Sequence, residues 1–323
     1  MKKNTKKALK ISGITAGAAA IASLSALITT KCLVNTALDR EMPKVMRNAE
    51  KAISGQKFDN EFMHRVEETA KQLSETPNET VQITSHDGET LVGHFITCEN
   101  PKRLIIAAHG WRSSWTRDFG MVADFWHKNQ CNVLYIEQRG QNNSGGQYMG
   151  FGLTERFDCL DWVNWAVGRV GEEMPIYLAG VSMGAATVLM AVGLNLPKNV
   201  HGIMADCGFT SPSAIWRHIA QKNLHIRYGL LETLANAMFK QKIMMGTDDY
   251  STTDALETSE IPVLFVHGSD DHFVPVEMTY ENYAACKAPK QLLIVPGADH
   301  GMSYYVEPEK YEKTVKEFWR EYD

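Results

Sequence analysis

Apolar and polar positions along this chain repeat with two periods. VQITS (81–85) and TLVGHFI (90–96) read as strands, and the His86-Asp87-Gly88-Glu89 link between them carries the Asp-Gly pair of a tight hairpin. RLIIAAHG (103–110) is almost continuously apolar, as a strand covered on both faces must be. NVLYIE (132–137), IYLAG (176–180), HGIMAD (201–206), PVLFVHG (262–268) and QLLIVPG (291–297) repeat that character. Between them, stretches such as DFGMVADFWHKN and RFDCLDWVNWAVGRV return apolar residues at helical spacing. A hairpin followed by alternating strand and helix predicts an α/β fold, a mostly parallel, doubly wound sheet with helices on both faces.

Residues 208–260 interrupt this rhythm, and SAIWRHIAQ and YGLLETLANAMFKQ within them read as amphipathic helices. Connections at the carboxyl ends of parallel strands surround the ligand site, so a helical lid is expected, with an elaborated crossover as the alternative. Upstream, residues 36–74 follow a helical pattern through Ile53, Phe62, Val66 and Leu73 until Pro77 ends it. The expected organisation is a leader over 1–35, a helical stalk or packed helix over 36–78, and an α/β domain over 79–323 with its lid at 208–260.

The leader opens with Lys2, Lys3, Lys6, Lys7 and Lys10, and Ile11–Thr30 then carries no charge. That run has about the length that crosses a hydrocarbon core. An uncleaved signal anchor is the preferred reading, with the lysines inside and the catalytic body extracytoplasmic. Small residues at Ser23-Leu24-Ser25 make a cleaved signal peptide and secretion the alternative. A soluble protein with a hydrophobic leader helix is the third reading. Thr30-Lys31 ahead of Cys32 is not a lipobox.

Apolar content of 44% and charged content of 22% are those of a globular protein. A net charge of −5 without a basic stripe argues against nucleic acid as a partner. The six cysteines lack C-x-x-C spacing, so neither a disulfide framework nor a cysteine metal site is expected.

Chemistry concentrates in IYLAGVSMGAA, where Ser182 stands between Gly180 and Gly184. A strand turning sharply into a helix through Gly-x-Ser-x-Gly is a nucleophile elbow, and residues two before and two after the serine must be tiny for strand and helix to meet. The Met183 amide then opens the helix, where it can donate to a developing oxyanion. In a sheet of this kind an acid and then a histidine follow the serine, each on a loop after a later strand. His300, in VPGADHG after the last strand, is the candidate base. Asp271 and Asp270 qualify as the acid by position, and Asp206 is a third option with a more structural look. The loop after RLIIAAHG would bring the Trp111 amide beside that of Met183 as a second oxyanion donor. His109 there reads as a structural hydrogen-bonder.

HGWRSS, EQRGQNNSGG, GVSMG, HGSDDHFVP and GADHG occur in this order, and with them the chain resembles the α/β-hydrolase superfamily from about Val81 to its end. It is also similar to membrane-anchored bacterial hydrolases of the serine aminopeptidase or lysophospholipase-like group. The superfamily pattern His-Gly-x-x-Asp-x-x-Val-Pro places the acid on Asp271. Arg139-Gly140 stands where members often carry Arg-Gly-x-Gly-x-Ser, but Gln141-Asn142-Asn143-Ser144 departs from it, so no catalytic role carries over from that loop. Glu155 and Asp158 are expected to partner Arg139.

The resemblance implies a serine hydrolase without metal or cofactor that acts on a small-molecule or lipid-like acyl substrate. An ester is preferred, because alkoxides leave more readily than amines. An aminopeptidase, a thioesterase or a lysophospholipase could use the same triad. A haloperoxidase could share the fold, whereas a dehalogenase would need a carboxylate in place of Ser182. A membrane-anchored binding module is the non-enzymatic alternative, disfavoured because Ser182, Asp271 and His300 are all present.

Overall fold

The computed structural model describes residues 23–46, residue 53 and residues 60–323. The lysine-rich start and the first part of the uncharged run, 11–22, lie outside them. Eight strands form one sheet in the order β1-β2-β4-β3-β5-β6-β7-β8. They are β1 Glu79–Thr84, β2 Thr90–Ile96, β3 Arg103–Ala108, β4 Cys131–Ile136, β5 Ile176–Val181, β6 Val200–Asp206, β7 Val263–Gly268 and β8 Lys290–Val295. The hairpin β1–β2 and the β2–β4 pair are antiparallel, and every later pair is parallel.

A helix, α1, occupies 23–38, followed by α2 Asn60–Glu75, α3 Trp115–Lys128, α4 Glu155–Val170 and α5 Met183–Ala191. Strand alternation sorts the core into two faces. Leu104, Ile106 and Ala108 join Cys159 and Trp162 of α4 and Val188 of α5 on one face. Ile105 and Ala107 join Phe119 and Trp126 of α3 and Phe318 of the carboxyl-terminal helix on the other. Each fully buried Leu or Ile contributes about 1.5–3 kcal/mol. Helix α2 crosses α3 at Gly120, where a Cβ would come within 2.7 Å of the Thr69 carbonyl carbon.

Between β6 and β7 the insertion forms α6 Pro212–His218, a π-helical turn Ile219–Asn223, α7 Gly229–Ile243 and α8 Thr252–Leu256. Trp216 and Phe239 of this insertion share a buried cluster with Val34 and Leu38 of α1 and with Met183 and Met190 of α5. The helical run expected over 36–74 is broken. Helix α1 stops at residue 38, and Asp39 bridges to Tyr148 in extended form. Lys242 holds the Asp39 carboxylate at 2.6 Å, the Arg40 guanidinium donates to the Ser144 carbonyl at 2.6 Å, and Pro43 cannot continue a helix. These long-range partners override the local period.

All six cysteines are free thiols. Among the described residues no helix is long and apolar enough to cross a membrane.

Candidate active site

Ser182 sits between β5 and α5 with φ 55° and ψ −116°, a conformation that costs a non-glycine residue about 1–3 kcal/mol. The strain is held by close packing on both sides. A Cβ on Gly180 would stand 2.3 Å from the Gly184 backbone, and one on Gly184 only 1.9 Å from the Ala108 carbonyl oxygen. The sequence requirement for tiny residues is therefore a requirement that β3, β5 and α5 meet at one point.

Three loops from the carboxyl ends of β5, β7 and β8 bring the predicted serine, acid and histidine together. The Ser182 hydroxyl lies 2.8 Å from His300 Nε2, and His300 Nδ1 lies 2.7 Å from Asp271 Oδ2. Asp271 is fully buried, and its Oδ1 accepts from the Phe273 and Val274 amides at 2.9 and 2.8 Å. Burial alone would raise its carboxyl, but the charges and hydrogen bonds of His300 and His267 hold it well below the usual carboxylate range. Burial would likewise lower His300, yet the Asp271 charge prevails and lifts it well above 6.5.

The other candidate acids stand elsewhere. Asp270 is exposed and takes the Ser269 hydroxyl. Burial pushes the Asp206 carboxyl up to about 6, and it accepts from Ser303 Oγ. Cys207 Sγ comes within 4.0 Å of His300 Nε2, but burial pushes that thiol up to about 11, which leaves it protonated.

The loop after β3 uses most of its backbone donors internally. The Gly110 amide donates to Asp118 Oδ2 and the Arg112 amide to Gln141 Oε1. Among the described residues the Trp111 amide between them has no acceptor, nor does the Met183 amide at the first turn of α5. A Cβ on Gly110 would lie 3.4 Å from Ser182 Cβ, so this loop passes directly beside the serine. His109 is buried, which lowers its basicity, and its Nε2 accepts from the Gln138 amide. Nδ1 then donates to the Gly110 carbonyl at 2.8 Å, the role of a structural hydrogen-bonder.

Several supports of the site carry no catalytic signature in the sequence. Gln138 donates to the His109 carbonyl and accepts from Thr187 Oγ1 on α5, tying the elbow helix to the loop beside Ser182. Asp118 and Gln141 fix that loop; Asp118 lies outside every motif, and Gln138 and Gln141 lie in EQRGQNNSGG, whose departure from the superfamily pattern hides their role. Arg139 does bind Asp158, and also Asp87 of the hairpin. Glu155 does not join it. Its carboxylate accepts from the Gly150 and Gly152 amides at 2.6 and 2.9 Å, because the tight turn before α4 needs those donors satisfied.

Among the described residues two groups of donors converge closely enough to hold a cation, Cys207 with Asp271 and His300, and His86 with Asp158 and Asp161. In the first, both His300 nitrogens already face Ser182 and Asp271. In the second, Asp158 is bound to Arg139.

A model of the prolyl oligopeptidase family matches residues 117–322. The Bacillus subtilis protein YqkD is 26% identical over 300 residues, 92% of this chain and 95% of its own length. Among solved structures, the Pyrococcus furiosus esterase Pf2001 superposes with a TM-score of 0.63 at 24% identity, over 78% of this chain and 93% of its own. Est1E of Butyrivibrio proteoclasticus with bound ferulic acid does so with a TM-score of 0.58 at 21% identity, over 75% and 98%. At these identities the structural likeness is one of fold.

Proposed function

Since the chain belongs to the prolyl oligopeptidase family and is a serine hydrolase of the α/β-hydrolase superfamily, we propose that it cleaves carboxylic esters through an acyl-enzyme on Ser182. The observation that carries this reading is the continuous hydrogen-bonded path from Ser182 Oγ through His300 to Asp271, at 2.8 and 2.7 Å. Ser182 Oγ attacks the ester carbonyl while His300 Nε2 takes its proton, and Asp271 stabilises the imidazolium that forms. The Trp111 and Met183 amides receive the oxyanion, a contribution of about 3–4 kcal/mol for a donor in such a hole. Collapse of the tetrahedral intermediate expels the alkoxide, which takes the proton from His300. Water, activated by the same histidine, then releases the acid and restores Ser182.

An ester is favoured over a peptide by the apolar lining of the cavity that Trp111 and Phe273 share with the site. Pf2001 bears the name esterase and Est1E binds ferulic acid, which fits this preference. Aminopeptidase, thioesterase and lysophospholipase activities use the same machinery and belong in the same assay. A fluorophosphonate should label the full-length chain and not Ser182→Ala, and hydrolysis across ester, thioester and peptide panels should favour esters. Peptide cleavage outpacing every ester would overturn the preference, and no labelling of folded protein would overturn the nucleophile.

We also propose that residues 11–30 anchor the chain in a membrane with the catalytic domain outside, secretion after cleavage being the alternative. Membrane fractionation with external protease decides between them, and a cytoplasmic, protease-protected body sinks both.

A further inference from the structure

A half-open cavity of about 80 Å³ lies beside the Ser182 site, lined by several separate parts of the chain. Leu33, Val34 and Ala37 of α1 line one side, and Trp216, Tyr228 and Leu231 of the insertion line another. Ile53, Phe151, Trp111 and Phe273 line it as well. These last two place the cavity against the chemistry. Phe273 meets the His300 ring edge-on at 5.0 Å, and Trp111 bears the amide assigned above to the oxyanion. The lining is apolar throughout. Even Thr30 and Thr36, which border it, turn their hydroxyls back to the Ala26 and Cys32 carbonyls of their own helix.

Helix α1 is fixed in this position by its carboxyl end. The Trp111 indole N–H donates to the Ala37 carbonyl at 2.9 Å, and the Arg112 guanidinium reaches the Thr36 carbonyl at 2.8 Å and the Arg40 carbonyl at 3.1 Å. Those carbonyls have no intrahelical donor, and the guanidinium also suits the negative end of the helix. The contacts start from the very loop that runs beside Ser182, so wall and site are held as one unit.

We propose that α1 is the specificity wall of the acyl pocket, so that residues ahead of the α/β domain set the acyl length the enzyme accepts. The proposal rests on the esterase reading above and names its substrate class. A cavity of this size has room for roughly six heavy atoms, which selects acyl groups near hexanoyl over acetyl and over long fatty chains. Ala37 faces the cavity with its side chain while its carbonyl holds Trp111, so a larger side chain there shortens the pocket without removing the clamp.

The test uses the full-length chain and p-nitrophenyl esters from acetyl to dodecanoyl. In the parent protein kcat/KM should climb about fourfold per methylene until the cavity is full and then fall. Ala37→Leu should lower hexanoyl kcat/KM about tenfold while leaving the acetyl ester within about twofold. Leu33→Ala should move the optimum to longer chains, and Leu27→Ala, on an exposed part of α1, should move nothing. Retained acetyl hydrolysis shows that a variant is folded, and if Ala37→Leu does not fold, the direction of the Leu33→Ala shift decides. Unshifted profiles in variants with parent acetyl rates overturn the proposal. Failure of the parent chain to cleave any ester is a different result, which overturns the esterase reading and the acyl pocket with it.

Discussion

His267 Nε2 lies 3.0 Å from Asp271 Oδ2, the same oxygen that faces His300 Nδ1 at 2.7 Å. Nε2 is also 2.9 Å from the Val274 carbonyl, and Nδ1 is 2.6 Å from Thr279 Oγ1. Both groups facing Nε2 are acceptors, so Nε2 carries the proton and Nδ1 accepts from the threonine. His267 therefore holds the carboxylate that faces His300, and in the proposed mechanism it is a positioning residue. His267→Gln should fold and lower kcat about 10- to 100-fold with KM little changed. A variant with parent kcat would remove that role.

The balance of charges around His300 predicts the pH profile. Only the neutral imidazole can accept the Ser182 proton, and Asp271 lifts its proton affinity well above 6.5. kcat/KM should thus rise with pH along a limb centred above 6.5. Asp271→Asn should bring that limb down and reduce kcat about 10⁴-fold. The same raised value gives His300 a stabilising contribution that is complete below its unfolded pKa and lost as pH rises through the folded one. A limb unmoved in Asp271→Asn would show that another group sets it.

Two glycines in helices should respond in opposite ways. Gly184→Ala drives a methyl to 1.9 Å from the Ala108 oxygen, a backbone atom that cannot yield, and should cost roughly 3 kcal/mol or more. Gly168 in α4 has nothing within 4 Å of an added Cβ, so Gly168→Ala should stabilise by about 0.5–1 kcal/mol. Urea unfolding of both variants checks the contrast.

Arg139 joins the hairpin to α4 through Asp87 at 2.7 Å and Asp158 Oδ2 at 2.6 Å. Arg139→Leu leaves the Asp158 carboxylate buried without its counter-charge and should cost about 3–5 kcal/mol. Asp158→Asn combined with Arg139→Leu should recover part of that loss, and a double variant no better than the single would refute the pairing as its cause.

What the sequence determines here is what repeats or packs locally. Period-two and period-3.6 apolar spacing marks the strands and helices of the α/β-hydrolase sheet, since each element buries its own face. The elbow is legible for a similar reason: only glycine fits at 180 and 184, and that demand is written into five consecutive residues. Asp271 and His300 stand out because they follow recognisable strands in motifs of fixed length.

The tertiary structure decides everything that joins distant residues through ordinary side chains. Ala37 meets Trp111, Gln138 meets Thr187, and Glu155 turns to the Gly150 and Gly152 amides rather than to Arg139. The break after residue 38 is of the same kind, because Asp39 finds Lys242 and Tyr148 only after the sheet and insertion have assembled. A hydrogen bond or ion pair depends on atoms within about 3 Å, and no local period along the chain records which residues folding will bring that close.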